Sequence, residues 1–219
     1  MIKINKDTKL YGSFSETPGN NGCNFFNDAF EKYGIDAIYK SFYSKDIKKS
    51  IEAARTLNMA GFAISAPFKI LTFDYVNEIT PNVGYIGSIN TVKNIGFNGQ
   101  TFFKGFNTDW IGAKKILEPL NLDHLYILGD GGFSKAVQFA CTIMKVKFEV
   151  ITRETWSKLE TIQDSYIFNA TPIKLELDTS ISFSNNIIDG RPHTKSGKAI
   201  ALEQAKAQFK IYTGVDYDA

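Results

Sequence analysis

The run His124-Leu125-Tyr126-Ile127-Leu128 passes directly into Gly129-Asp130-Gly131-Gly132, and a stretch with helical apolar spacing, Ser134 to Lys145, follows at once. A short apolar run bounded by a turn reads as a buried strand, and Phe148-Glu149-Val150-Ile151-Thr152-Arg153 reads as the next one. No other feature constrains the fold as much. Strand, glycine turn, helix and strand within about thirty residues form a unit whose two strands lie parallel in one sheet. Ser165 to Ala170 and Asn186 to Asp189 are further strand candidates.

The first half carries a second unit of this kind. Ala37 to Phe42 and Gly61 to Ser65 are strand-like, and Ile47 to Leu57 between them is helical. Upstream, Tyr11 to Gly22 is rich in Gly, Ser, Asn and Pro and reads as a loop, followed by a helix over Cys23 to Tyr33 that stops at Gly34. Ile70 to Ile79 reads as a helix broken by Thr80-Pro81-Asn82. Short strands are expected around Ser88 to Lys93 and Phe102 to Phe106, and helices over Trp110 to Leu120 and Lys198 to Phe209. The fold class is α/β. At 219 residues, two lean domains are expected, at 1–108 and 109–196, with 197–219 as a C-terminal helix returning to the first domain.

Composition excludes several classes. With 43% hydrophobic residues the chain can bury a core, and no apolar run approaches the ~20 residues a membrane span needs. The segment Met1 to Asp7 lacks the apolar region of a secretory signal, so a cytoplasmic protein is expected. The net charge is only +2, and Lys45, Lys48 and Lys49 interleave with Asp46 and Glu52 as a solvated helix face, which argues against nucleic acid as a partner. Cys23 and Cys141 have no spacing suited to zinc, so no metal site is expected and both read as free thiols.

Three polar segments precede the glycine turn: Ser65-Ala66-Pro67-Phe68-Lys69, Ser88-Ile89-Asn90-Thr91 and Asn107-Thr108-Asp109. They offer a lysine, an aspartate, amides and hydroxyls, a set suited to a polyhydroxylated small molecule. A lysine at the carboxyl end of a strand, with an aspartate to relay its proton, can take the proton of an alcohol whose carbon loses hydride. Lys69 and Asp109 are that pair. Gly129, Gly131 and Gly132 then let backbone amides and a helix N-terminus face a dinucleotide pyrophosphate, although Ser134 stands where a full fingerprint has its third glycine. Arg153 follows the second strand, where an arginine suits a ribose 2′-phosphate; this leans to NADP(H), with NAD(H) not excluded because Glu154 lies beside it.

Taken together these segments resemble the shikimate dehydrogenase family, from about Ser13 to Gly214. The resemblance is carried by Ser13-Phe14-Ser15, Ala63 to Lys69, Asn90-Thr91, Asn107-Thr108-Asp109, Gly129 to Gly132, Thr152-Arg153-Glu154, Asn169-Ala170-Thr171 and Gln204-Ala205, in that order. It implies an N-terminal α/β substrate domain and a small Rossmann-like dinucleotide-binding domain. It implies Lys69 and Asp109 as the catalytic pair, with Ser13, Ser15, Ser65, Asn90 and Gln204 binding substrate. Gly129, Gly131, Gly132, Phe133, Arg153 and Thr171 would bind the cofactor. The implied reaction is the reversible NADPH-dependent reduction of 3-dehydroshikimate to shikimate, a step of aromatic amino acid biosynthesis, by a monomer or homodimer.

The chain departs from the family pattern at Ala63 for asparagine, Ser65 for threonine, Glu16 for proline, and Thr152 and Glu154 beside the cofactor arginine. Beyond Asp189 it runs through Gly190-Arg191-Pro192 straight to the last helix, which pares down the cofactor domain. Two other readings therefore stay open: a dehydrogenase of a quinate-like or aminoshikimate-like acid, and a non-catalytic shikimate-type binding protein.

Overall fold

The computed structural model describes residues 3–175 and 185–218. The chain divides into two units, Met1–Thr108 with Ala205–Ala219, and Asp109–Gln204.

The first unit is built on a six-stranded sheet in the order β2 (Ala37–Tyr43), β1 (Lys9–Ser15), β3 (Gly61–Ile64), β5 (Thr91–Asn94), β6 (Phe103–Phe106), β4 (Glu78–Ile79). β1 pairs in parallel with β2 on one side and β3 on the other, and β5 runs antiparallel to both of its neighbours. The expected β–α–β unit thus straddles a strand that the sequence reading missed: part of the expected loop from Tyr11 to Gly22 is β1. Gly12, Ser13 and Ser15 dilute its apolar alternation, but backbone pairing on both sides and packing on both faces override weak strand propensity. Gly12 is required there, since a Cβ would stand 2.6 Å from the Lys40 carbonyl oxygen.

Two apolar layers cover this sheet. Helix α2 (Ile47–Thr56) starts at Asp46, whose carboxylate accepts the Lys49 N–H at 3.1 Å, and its Ile47, Ile51 and Ala54 pack with Phe14, Phe62 and Phe103. On the other face, Tyr11 and Tyr39 meet Phe26 and Phe30 of α1 (Asn21–Lys32) and Phe209 and Tyr212 near the chain's end. The rings of Tyr11 and Tyr212 lie 4.9 Å apart, those of Phe26 and Tyr39 4.5 Å. Each fully buried ring of this kind contributes about 1.5–3 kcal/mol.

The expected helix over Ile70 to Ile79 is instead a 3-10 turn, Leu71–Tyr75, followed by β4. Asn77 explains the difference: its N–H donates to Phe103 O at 2.8 Å and its side-chain oxygen accepts from Phe103 N at 2.8 Å, which draws the chain into the sheet beside β6. Thr80-Pro81-Asn82 is likewise no helix end. It opens α3 (Pro81–Ile86), with proline at the first helical position, where its missing N–H and fixed φ cost nothing.

The second unit holds four parallel strands in the order β10 (Asn186–Asp189), β9 (Tyr166–Asn169), β7 (His124–Leu128), β8 (Lys147–Ile151). Leu125, Ile127 and Phe168 pack on Val137 and Ala140 of α5 (Gly132–Met144), Ala113 and Leu117 of α4 (Asp109–Leu117), and Ile200 of α6 (Lys195–Thr213). Leu128, Ile151 and Ile167 pack with Leu159 of a 3-10 turn, Trp156–Thr161, on the opposite side. With both faces covered, the central strands β7 and β9 are apolar over most of their length, and this is what made them legible. Strand order reverses at β7, and at such a point in an open parallel sheet the carboxyl ends of the strands leave a crevice for a ligand.

Candidate functional site

In the first unit, β1, β3 and β6 point the same way and β5 the opposite way, so the carboxyl ends of three strands and the amino end of the fourth share one edge. That edge gathers Ser13, Ser15, Ser65, Lys69, Asn90 and Thr108. Ser13 is half-buried, with its hydroxyl 3.3 Å from Ser41 Oγ, and Ser41 in turn donates to Gly19 O at 2.9 Å. Burial pushes the Tyr39 phenol well above its ordinary range, with a hydrogen bond from Ser13 opposing it. Ser15 is buried and its oxygen accepts the Thr17 N–H at 3.0 Å. Ser65 donates its N–H to Phe14 O at 3.2 Å and accepts from Phe68 N at 3.0 Å, closing a turn that contains a cis peptide between Ala66 and Pro67. Lys69 is half-buried, and its carbonyl accepts the Ile89 N–H at 2.8 Å, tying the lysine's segment to the one that carries Asn90.

Asn90 is the centre of a buried polar chain. Its side-chain oxygen accepts from Thr108 N at 2.8 Å and from the Thr91 hydroxyl at 2.7 Å, and its amide donates to Thr108 Oγ1 at 2.9 Å. Thr91 Oγ1 also accepts from the Gln208 amide at 2.9 Å. Asn107 donates to Ser88 O and Oγ at 2.8 and 3.0 Å. All six residues are buried, so each bond is formed out of water, where an unmade one costs about 1–3 kcal/mol. Gln208 went unseen in the sequence. It lies four residues after Gln204 on the same helical face, and that spacing was the available signal.

Asp109 directly follows Thr108, is buried, and opens α4. Gln204 is half-buried, with its Cγ so close to Gly112 that a Cβ there would stand 2.8 Å away.

In the second unit the glycine turn lies at the reversal of strand order. Gly129 has φ +95°, a left-handed backbone that disfavours side chains, and a Cβ on it would meet Thr171 Cγ2 at 2.8 Å. Its N–H donates to Ile151 O at 2.8 Å. Gly131 stands at the cap of α5 in an extended conformation, with no atom within 4 Å of where its Cβ would be. The turn thus opens on clear space at a helix N-terminus, which fits a pyrophosphate. Gly132 begins α5, while the Phe133 ring turns into the core, 5.8 Å from Phe168. Thr171 donates its N–H and hydroxyl to Asn169 Oδ1 at 3.0 and 2.7 Å. Arg153 is exposed just beyond β8.

A feature not anticipated from sequence closes the far end of this sheet. Arg191 Nε donates to both oxygens of Asp189 at 3.0 Å, and its second nitrogen lies 2.6 Å from Oδ2, with both side chains largely buried. Burial opposes ionisation of Asp189, but the hydrogen bonds and charge of Arg191, with His193, outweigh it and hold the carboxyl below its ordinary range.

Residues 21–92 match the family described as the shikimate dehydrogenase substrate binding domain. A shikimate dehydrogenase-like protein of Haemophilus influenzae is 31% identical over 96% of this chain and 92% of its own length. A shikimate dehydrogenase (NADP(+)) of Bacillus cereus is 30% identical over 73% of this chain, which spans only 59% of that relative. The solved structure of a shikimate 5-dehydrogenase-like protein superposes with a TM-score of 0.79 at 29% identity, covering 99% of this chain and 95% of the other. The fold is therefore the α/β arrangement of a substrate domain and a small Rossmann-like domain, and the chain belongs to the shikimate dehydrogenase family.

Proposed function

We propose that this chain is a shikimate dehydrogenase, catalysing the reversible reduction of 3-dehydroshikimate to shikimate with NADP(H), NAD(H) not being excluded. Residues 1–108 act as the substrate-binding and catalytic domain, 109–196 bind the dinucleotide, and 197–219 return to the first domain. The observation that carries this reading is the gathering of Ser13, Ser15, Ser65, Lys69 and Asn90 at one sheet edge, with Asp109 next in the chain after the anchored Thr108.

In this mechanism Ser13 and Ser15 hold the substrate carboxylate, and Ser65, Asn90 and Gln204 hold ring hydroxyls. Lys69 takes the proton from the hydroxyl being oxidised, with Asp109 as its relay, and returns it to the oxygen in the reverse direction. A dinucleotide bound over Gly129, Gly131 and Gly132, with Phe133, Thr171 and Arg153 beside them, supplies the hydride carrier. Its support is the open space at Gly131 and the name of the Bacillus relative.

The test is oxidation of shikimate, quinate and related acids with NADP+ and NAD+, on the wild type and Lys69→Ala. The variant should lose about 10²–10⁴ in turnover while its affinity for shikimate changes only severalfold. Unchanged turnover removes Lys69 from the mechanism, and preferred turnover of quinate reassigns the substrate. Shikimate binding without any dinucleotide affinity at millimolar concentration makes the chain a binding protein.

A further inference from the structure

The turn after β8 carries a charge pattern that the proposed cofactor chemistry leaves unexplained. β7 and β8 pair in parallel with Leu128 opposite Ile151, so Asp130, two residues past the first strand, and Glu154, three past the second, leave the same edge of the sheet. Both are exposed, as is Arg153, which precedes Glu154 in the second turn. The two turns that follow β7 and β8 therefore carry two carboxylates against one guanidinium. In a sheet of this type it is the edge that faces the adenosine ribose, where a carboxylate favours a 2′-hydroxyl and an arginine a 2′-phosphate.

Glu154 is not a loose surface side chain. Its carboxylate accepts a hydrogen bond from the Thr152 hydroxyl, and Thr152 N donates to Thr155 Oγ1 at 2.9 Å, so residues 152–155 form a closed turn that fixes the acid. The Thr152 hydrogen bond, with Glu154's own amide and the charge of Arg153, holds the carboxyl below its ordinary range, keeping it ionised at neutral pH. Arg153 makes no hydrogen bond among the described residues, and its charge acts on Glu154 only through space, as the smallest of the effects on that carboxyl.

Resting on the dinucleotide reading above, we propose that Glu154 is a specificity-determining residue which penalises a ribose 2′-phosphate, so that this chain binds NAD(H) at least as tightly as NADP(H). A 2′-phosphate carries nearly two negative charges and meets the fixed carboxylate directly, while Arg153 offsets only part of the repulsion. With NAD(H) the same carboxylate accepts a hydrogen bond from the 2′-hydroxyl.

The experiment measures dissociation constants of NADP+ and NAD+ by calorimetry, for the wild type, Glu154→Gln and Glu154→Gln with Arg153→Ala. Glu154→Gln keeps the shape and removes the charge at an exposed position, and circular dichroism verifies that each variant is folded. The expected result is a wild-type preference for NAD+ or none. In Glu154→Gln the ratio of NADP+ to NAD+ affinity should rise about five- to tenfold, about 1.0–1.4 kcal/mol. Adding Arg153→Ala should abolish that gain, and raised salt should shrink it. A wild-type preference of tenfold or more for NADP+, or a ratio that moves less than twofold in Glu154→Gln, overturns the inference and leaves the dehydrogenase reading intact. Failure of every form to bind either dinucleotide overturns both.

Discussion

Removing the Thr91 hydroxyl tests whether the buried chain from Gln208 to Asn90 acts as one network. In Thr91→Val two bonds are lost, the 2.7 Å donation to Asn90 and the 2.9 Å acceptance from Gln208, at about 1 kcal/mol each. The Gln208 amide is then left buried and unpaired, for about 1–3 kcal/mol more. The total expected loss is about 3–5 kcal/mol. Gln208→Leu breaks one bond while Thr91 keeps its donation to Asn90, so about 1–2 kcal/mol is expected. In the double variant no orphaned amide remains and the shared bond is lost only once, so its loss should fall short of the sum of the singles by about 2–4 kcal/mol. Urea unfolding followed by near-ultraviolet circular dichroism of the tyrosines reads this, because both tryptophans, Trp110 and Trp156, lie in the second unit and report it separately by fluorescence. Additive losses within about 0.3 kcal/mol would refute the network, since independent sites behave that way.

Two further outcomes follow from the second unit. Gly129→Ala meets both a φ of +95° and Thr171 at 2.8 Å, and should cost about 2–4 kcal/mol by thermal unfolding. Gly131→Ala meets no atom within 4 Å, so it should leave stability within about 1 kcal/mol of wild type while weakening dinucleotide binding; equal destabilisation by both changes contradicts the described turn. Because the folded carboxyl of Asp189 titrates below its unfolded value, its contribution to stability is complete above about pH 4 and is lost as pH falls through the lower folded value. Asp189→Asn should therefore flatten the acid limb of the stability profile of the second unit, and an unaltered limb would remove this pair from the account.

The units of strand and helix were legible wherever strands are covered on both faces, as Leu125, Ile127 and Leu128 are, because burial from two sides writes a continuous apolar run. β1 was not, because Gly12 is there for lack of space and Ser13 and Ser15 for their hydroxyls, and neither demand resembles strand propensity. Asn77 altered the reading of its neighbours through partners on β6, 26 residues away, which no local window contains. For the site, the order of polar segments located the edge, since each follows a strand or precedes one. Gln208 and Ser41 were invisible for another reason. Their meaning lies in a partner that only the folded chain brings near.

The placement of Tyr212 bears on how such a chain is made. Its ring lies against Tyr11, and a Cβ on Gly61 would stand 2.8 Å from it, while Lys93 Nζ reaches the Ile211 carbonyl at 2.6 Å. Synthesis delivers β1 first and these partners last, with the whole second unit emerging in between. Until then Tyr11, Phe26 and Phe30 lack their final cover, and the nascent first unit presents a sticky aromatic face to its surroundings. The second unit, contiguous in the chain, can mature meanwhile without waiting for anything downstream of residue 204. Vectorial synthesis therefore leaves the older half of the protein as the one finished last.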